Sequence, residues 1–404
     1  MVTEPTRHSF LSTFRHDAAK SVLVLRPSTG PAVRWHKEPA ICGYRKLSHR
    51  SDKLDKDIQV PICAAAIAVS DVGVIIGGYD GRVRFFNCGL DKIYWETRLE
   101  SAIYASPVVD QARRTVLIAT IGGQIACVDL RGNIVWTVRI GSPVYATPTI
   151  LPASDLLVVA AFQSRCLGLT LTSGECVFDR QLPKPWQAAL GGSAAHRDPY
   201  ASPLATSQGD TVLCCAEDVL CLAPDGMERW HCRTDSAIRA SPAALHSTQE
   251  VTLGTVDGRC LFLDAATGRI CAEIALGAKI TASPAVSGSI VAYGTSQEEA
   301  LGINIASHAI EWRVLHGAPR DHSSFSVTPD GNFVATTSSG NVVCRSAKDG
   351  RFLWETSQLL GLAEHDPTVD TTPIVDPSGS MYCGSYSGMI YHFQFQREDT
   401  QGSW

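Results

Sequence analysis

The sequence predicts an all-β chain folded as a single eight-bladed β-propeller. Three observations carry this: a short phrase recurs about every 41 residues, each unit holds four β-rich runs separated by turn residues, and the two ends of the chain supply complementary parts of one unit. The phrase reads AIYASP from Ala102, PVYATP from Pro143, DPYASP from Asp198, AIRASP from Ala237, KITASP from Lys279 and VDTTP from Val369. Its prolines are Pro107, Pro148, Pro203, Pro242, Pro284 and Pro373. Phe325 stands where another proline is due, and counting back from Pro107 reaches Ala66, which makes eight copies. The steps from Ala66 are 41, 41, 55, 39, 42, 41 and 48 residues, so two units carry clear insertions.

The phrase opens each unit as the inner strand, small and apolar. Two middle runs follow, for instance TVLIAT then GQIACVDL, joined by turns such as GGYDG, GTVDG and GSYSG. Those runs are rich in β-branched residues, and their glycines supply the positive φ of tight turns, so they are not read as phosphate loops. The outer run starts at a turn and carries an aromatic residue four positions later. Gly132 leads to Trp136, Gly226 to Trp230, Gly350 to Trp354, Asp91 to Trp95, His308 to Trp312 and Gly174 to Phe178. Gly268 leads instead to Ala272, so one docking residue is lost. These aromatics are expected to pack between neighbouring blades.

Closure is read from the ends. After Pro373 the chain provides only PIVDP, SMYCGSY and MIYHFQFQ, while PAVRWHKE near the start is an unmatched outer run with Trp35 in the aromatic position. Joining them completes the eighth blade and removes the open sheet edge that invites aggregation. The expected layout is a flexible segment over residues 1–19, the propeller over 20–395 and a flexible tail over 396–404.

The formal charge of −5 gives no basic stripe for a phosphate backbone, so no nucleic-acid partner is expected. No apolar stretch approaches the roughly 18 residues of a membrane span, and no signal-peptide core is seen, so a soluble, cytoplasmic monomer without membrane insertion is expected. The fourteen cysteines are scattered through strand-like runs without CxxC pairs or metal-ligand spacing, as fits reduced core thiols.

CLFLDAATGRI, ACVDLRGNIVW and VVCRSAKDGRFLW resemble the pyrroloquinoline-quinone (PQQ)-like repeat, over about residues 20 to 395. That superfamily includes quinoprotein dehydrogenases, the propeller lipoprotein of the bacterial outer-membrane assembly machine, lumenal stress-sensor domains and the C-terminal propeller of the β-alanine-activating, acyl-CoA-synthetase-like enzyme. The last looks most similar in its cysteine content and its SSP or ASP phrase. The likeness covers that enzyme's propeller part alone. It implies the fold and says little of activity. A quinone-dependent dehydrogenase, the alternative reading, would need PQQ and calcium held by carboxylates, amides, an arginine and a stacking tryptophan, often with a vicinal disulfide. The pair Cys214 and Cys215 lies mid-strand, where alternation sends one thiol to each face, so neither PQQ nor calcium is predicted. No P-loop, HExxH, nucleophile elbow or GxGxxG before a helix occurs, and no catalytic or metal-binding residue is assigned.

The expected function is therefore a non-catalytic module that binds a protein partner or small ligand, with an adenylating or carrier-protein enzyme as the partner the resemblance implies. Four outer-to-inner loops exceed the repeat, and each brings histidine near aspartate: His49 and Asp52; His196, Arg197 and Asp198; Asp321 and His322; His365 and Asp366. By the blade count they open on one face, at junctions 8/1, 3/4, 6/7 and 7/8. Turn chemistry alone accounts for such residues; a docking face is the functional reading.

Overall fold

In a computed structural model, eight four-stranded antiparallel sheets stand around an axis, with one extra two-stranded hairpin. The structure describes residues 35–51, 56–63, 65, 67–69, 72–183, 199–320, 323–362, 368–376 and 378–398. Ala66, the first landmark of the period, lies outside them. No described helix is long and apolar enough to cross a membrane.

Blade 2 shows the plan. Its strands run Val108–Asp110, Thr115–Ala119, Gln124–Asp129 and Ile134–Arg139 from the axis outward. The first two are wholly buried and the third nearly so, because both faces of each sheet pack against neighbouring sheets. The outer strand is exposed except at buried Trp136 and half-buried Val138. A register shift between Cys127 and Val128, opposite that tryptophan, recurs at the equivalent place in every blade.

The predicted docking role of the aromatics holds. The Trp136 indole donates to the Leu171 carbonyl of blade 3 at 3.0 Å, and Trp95, Trp230 and Trp312 donate to the next blade's Leu130, Ala265 and Ala347. Each indole lies over a turn glycine. At Gly174, with φ of +75°, an added Cβ would sit 2.5 Å from the Trp136 ring, so only glycine lets the ring approach. Where blade 5 carries Ala272 instead, the facing turn residue in blade 6 is His308, also left-handed at φ 55°. Its ring centroid lies 4.5 Å from that of Phe262, and its Nε2 lies 3.2 Å from Glu250, filling the space a tryptophan would take.

The repeated phrase also gains a physical account. Alternation places its residues in turn: Ile103 is fully buried, Tyr104 faces the axis, Ala105 is buried, and Ser106 bonds the neighbouring blade. The backbone N–H of Ala65 donates to Ser106 Oγ, that of Ser106 to Thr147, Thr147 to Ser202, Ser202 to Ser241, Ser241 to Ser283, Ser283 to Ser324 and Ser324 to Thr372. These seven bonds run in one sense around the axis. The circuit would be completed by a hydroxyl at position 65, which is alanine.

Blade 8 closes the ring as expected in kind but not in place. The chain's C-terminal part gives Ile374–Val375, Ser380–Gly384 and Met389–Gln394, and its outer strand is Ala40–Lys46. The expectation put Trp35 within that strand. Trp35 instead makes an isolated bridge to Arg397 and packs beside Gly379, while the Lys37 carbonyl accepts the Trp354 indole at 2.6 Å. The segment around Trp35 thus supplies the docking turn that precedes an outer strand, and the position opposite His392, held by tryptophan in other blades, is Gly43.

All fourteen cysteines are free, and eight are buried. Cys214 and Cys215, in the strand Thr211–Cys215, belong to separate core clusters on the two faces of the sheet, as alternation requires.

Candidate functional site

The described ends of the outer-to-inner loops and the turns between middle strands open on one face of the ring. Of the residues expected there, His49 is described: it lies half-buried on the hairpin Ser48–Ser51 with Lys56–Gln59, its Nδ1 4.0 Å from the Asp80 carboxylate. Asp80 is held bidentately by buried Arg84, so His49 edges a structural ion pair. Asp52, His196, Arg197, Asp198, Asp321, His322, His365 and Asp366 lie outside the described residues. What is described of the loops at junctions 6/7 and 7/8 is tied by Arg320, which meets the buried Asp370 at 2.8 Å and the Val369 carbonyl at 3.1 Å.

On this face the axis widens into a cavity of about 850 Å³. It is built from one column of the repeat, the residue two positions before each serine or threonine. Read around the ring, that column begins Cys63, Tyr104, Tyr145, Tyr200, Arg239 and Thr281, and all six line the cavity. Three consecutive blades thus put tyrosine on one wall. Tyr145 is the hub: its ring centre lies 5.1 Å from Tyr104, 4.7 Å from Phe162 and 5.6 Å from Tyr200. Tyr79 and Tyr386, from the turn tips of blades 1 and 8, extend the aromatic wall at the mouth and are partly exposed.

The adjoining wall is cationic and hydroxylic. Arg239 stacks its guanidinium 5.3 Å from the Tyr200 ring centre, and exposed Lys279 stands on the next blade. Neither has a carboxylate within salt-bridge distance among the described residues. Beneath them lie the seven hydroxyls of the interblade circuit, every one of which lines the cavity.

The chemistry of these groups is that of recognition. Burial holds the Tyr104 hydroxyl well above the ordinary tyrosine range, with neighbouring phenols and Cys63 adding to it, so it stays a neutral donor. Burial, then Asp370, pushes the Cys63 thiol up to about 11, which leaves little thiolate for nucleophilic work at neutral pH. The described lining contains no carboxylate, and Cys214 and Cys215 point to opposite faces of a buried strand. A calcium-bridged quinone does not fit this donor set.

The column is visible in the sequence: aligning the phrases on their prolines brings out the three tyrosines and the arginine directly, whereas loop length points only to the insertions.

The sequence matches the family described as outer membrane protein assembly factor BamB over residues 21–221 and again over 215–404. None of the curated proteins matches it. Among solved structures, the chain is similar to BamB from Moraxella catarrhalis, with a TM-score of 0.66 at 18% identity, over 87% of this chain and 100% of that one. It is also similar to the computationally designed Ika8 protein, with a TM-score of 0.65 at 15% identity over 83% and 97% of the two chains. Saccharomyces cerevisiae Sqt1 gives a TM-score of 0.67 at 11% identity over 88% and 99%. At these identities the likeness is one of fold.

Proposed function

Because the chain belongs to the outer membrane protein assembly factor BamB family, we propose that it is a non-catalytic binding module that captures a protein partner on the funnel face. The observation that carries this is the divided funnel, three adjacent tyrosines followed around the ring by Arg239 and Lys279. Tyrosine and arginine concentrate binding energy at interfaces, since they offer large contact area and directional donors at small entropic cost. Short strands sewn at both ends of the blade hold the site in place. Ligand sites in ring-shaped β folds also favour such axial mouths.

The partner implied by the PQQ-like phrase is an adenylating or carrier-protein enzyme, of the kind that carries a similar propeller. Fourteen free thiols support a reducing, cytoplasmic setting. A monomer is the proposed state, which size-exclusion chromatography with light scattering checks directly.

The test compares two faces. Tagged protein, and a variant with Tyr104→Ala and Tyr200→Ala, are used to capture partners that are identified by mass spectrometry. Capture should disappear in the funnel variant at an unchanged fold. Alanine at Arg131, Lys348 and Asp349, on the opposite face, should leave it intact. Equal loss from both sets removes the assignment to the funnel. Incubation with PQQ and calcium should give neither bound chromophore nor dye reduction; either one would favour a dehydrogenase.

A further inference from the structure

We infer that the axial funnel recognises a carboxylate, seated against the ring of hydroxyls between Arg239 and Lys279 with the apolar part of the ligand on the tyrosine wall. The inference rests on the binding-module reading and names its chemistry.

The argument begins with the count of donors and acceptors at each hydroxyl. A serine or threonine hydroxyl can accept two hydrogen bonds and donates one. In the interblade circuit each hydroxyl oxygen is engaged as an acceptor by a backbone N–H, at 2.7 to 3.3 Å. The bond that sews the ring therefore leaves each proton available to donate. At Thr372 a second hydroxyl, Ser323, is also within 3.3 Å. For Ser106, Ser202, Ser241 and Ser283 no acceptor of that proton is found among the described residues. These side chains are more than nine-tenths buried, and all line the same cavity. A crown of inward O–H donors with few acceptors creates a region that favours negative charge.

The walls agree. Arg239 and Lys279 add positive charge beside the crown without a carboxylate partner among the described residues, although acids outnumber bases in the chain, 40 to 35. Arg239 also presents a fork suited to a carboxylate while its flat face rests on Tyr200. The aromatic side, centred on Tyr145, accepts an apolar or planar body.

Two sources share this chemistry, a free small carboxylate and the acidic side chain of a partner segment. The probes are benzoate, its neutral isostere benzamide, and the blocked peptides Ac-Gly-Pro-Glu-Pro-Gly-NH2 and Ac-Gly-Pro-Gln-Pro-Gly-NH2, each followed by calorimetry and by the funnel's tyrosine fluorescence. Benzoate or the Glu peptide should bind at least roughly tenfold more tightly than its neutral counterpart, the ratio expected when a charge-assisted pair is lost. Benzoate alone assigns a free carboxylate; the Glu peptide alone assigns a partner's side chain. Arg239→Ala with Lys279→Ala should lower that affinity by roughly tenfold or more at an unchanged melting temperature. Ser241→Ala should weaken binding of the acid probes more than of their neutral counterparts, a charge-selective loss that a merely structural bond would not give, and Ser241→Thr, which keeps the hydroxyl, should restore it. No binding by either acid, or equal binding of acid and neutral probes, overturns the inference. Where benzoate does not bind, partner capture that persists in the Arg239 and Lys279 variant overturns it too, and leaves the binding module standing. If the wild-type protein captures nothing, the module reading fails whatever benzoate does.

Discussion

The junction between blades 2 and 3 and the junction between blades 8 and 1 do the same job with different parts. Between blades 2 and 3, Trp136 covers Gly174 and bonds the Leu171 carbonyl, while Ser106 N–H reaches Thr147 near the axis. Between blades 8 and 1 both devices are missing: Gly43 occupies the tryptophan position, and Ala65 offers no hydroxyl. The Tyr382 hydroxyl donates instead to the Cys88 carbonyl at 3.1 Å, and Arg45 bonds the carbonyls of Leu90 and Asp91 while lying over Phe86. Gly43 fits because a side chain there would meet the Gly89 carbonyl at 2.9 Å. Regular junctions rely on interblade side chains, whereas the seam relies on a strand borrowed from the other end of the chain and on polar contacts to backbone.

The comparison breaks most severely if the borrowed strand is removed. Deleting residues 1–46 takes away Ala40–Lys46, exposes the backbone edge of Met389–Gln394, and should convert a cooperatively folding protein into aggregating material in chromatography and calorimetry. Deleting only residues 1–38 keeps the strand and should cost mainly the Trp35 and Lys37 contacts. If the shorter deletion is as damaging as the longer, the strand is not the seal.

At a regular junction, Trp136→Ala should destabilise by about 3 to 5 kcal/mol through lost burial and an orphaned turn. Chemical denaturation measures it. The blade 5 to blade 6 junction sharpens the point, since Ala272 with His308 is already adapted, and Ala272→Trp should clash with His308 rather than stabilise.

The seam should also respond to acid. His392 is buried, stacked 4.6 Å from Tyr382, and burial lowers its pKa from 6.5 to about 4. Above pH 6.5 the imidazole is neutral in both folded and unfolded chains and contributes no slope. Between 6.5 and about 4 only the unfolded chain takes the proton, so stability should fall as pH falls through that window and level off below it, a loss of up to about 3 kcal/mol. Stability measured against pH for wild type and His392→Phe tests this; an unchanged slope in the variant assigns it to other groups.

The smallest expected effect is a gain. Ala65→Ser would offer the missing acceptor to Thr372 N–H and should raise stability by about 0.5 to 1.5 kcal/mol, while Ser241→Ala should cost about 1 to 3 kcal/mol by stranding a buried N–H. Thermal melts of the two variants should move in opposite directions.

Much of this architecture was legible because a propeller repeats its requirements. The period gave the blade count, the glycine-to-aromatic spacing gave the clamps, and the incomplete last unit gave closure. Three things were hidden. Trp35 matched the aromatic spacing yet belongs to a docking turn, since an outer strand is recognised by what it pairs with, and Ala40–Lys46 carries Gly43 where most outer strands carry an aromatic. Ala272 read as a lost clamp because its replacement, His308, comes from the neighbouring blade 36 residues later, where a contact in space has no local trace. The funnel leaves no repeating signal, because its residues vary within an otherwise uniform phrase. Sameness marked the scaffold, and variation at Tyr104, Arg239 and Thr281 marked the site.

The bridge from Trp35 to Arg397 has a mechanical consequence. The chain enters blade 8 at Ala40 and leaves it at Gln394, and those two residues face each other at the same end of an antiparallel ladder. Tension applied between the ends would open that ladder one pair at a time, as a zipper, instead of shearing all its bonds together. A protein tethered at both ends would yield first at its seam, under low force, with seven blades still intact.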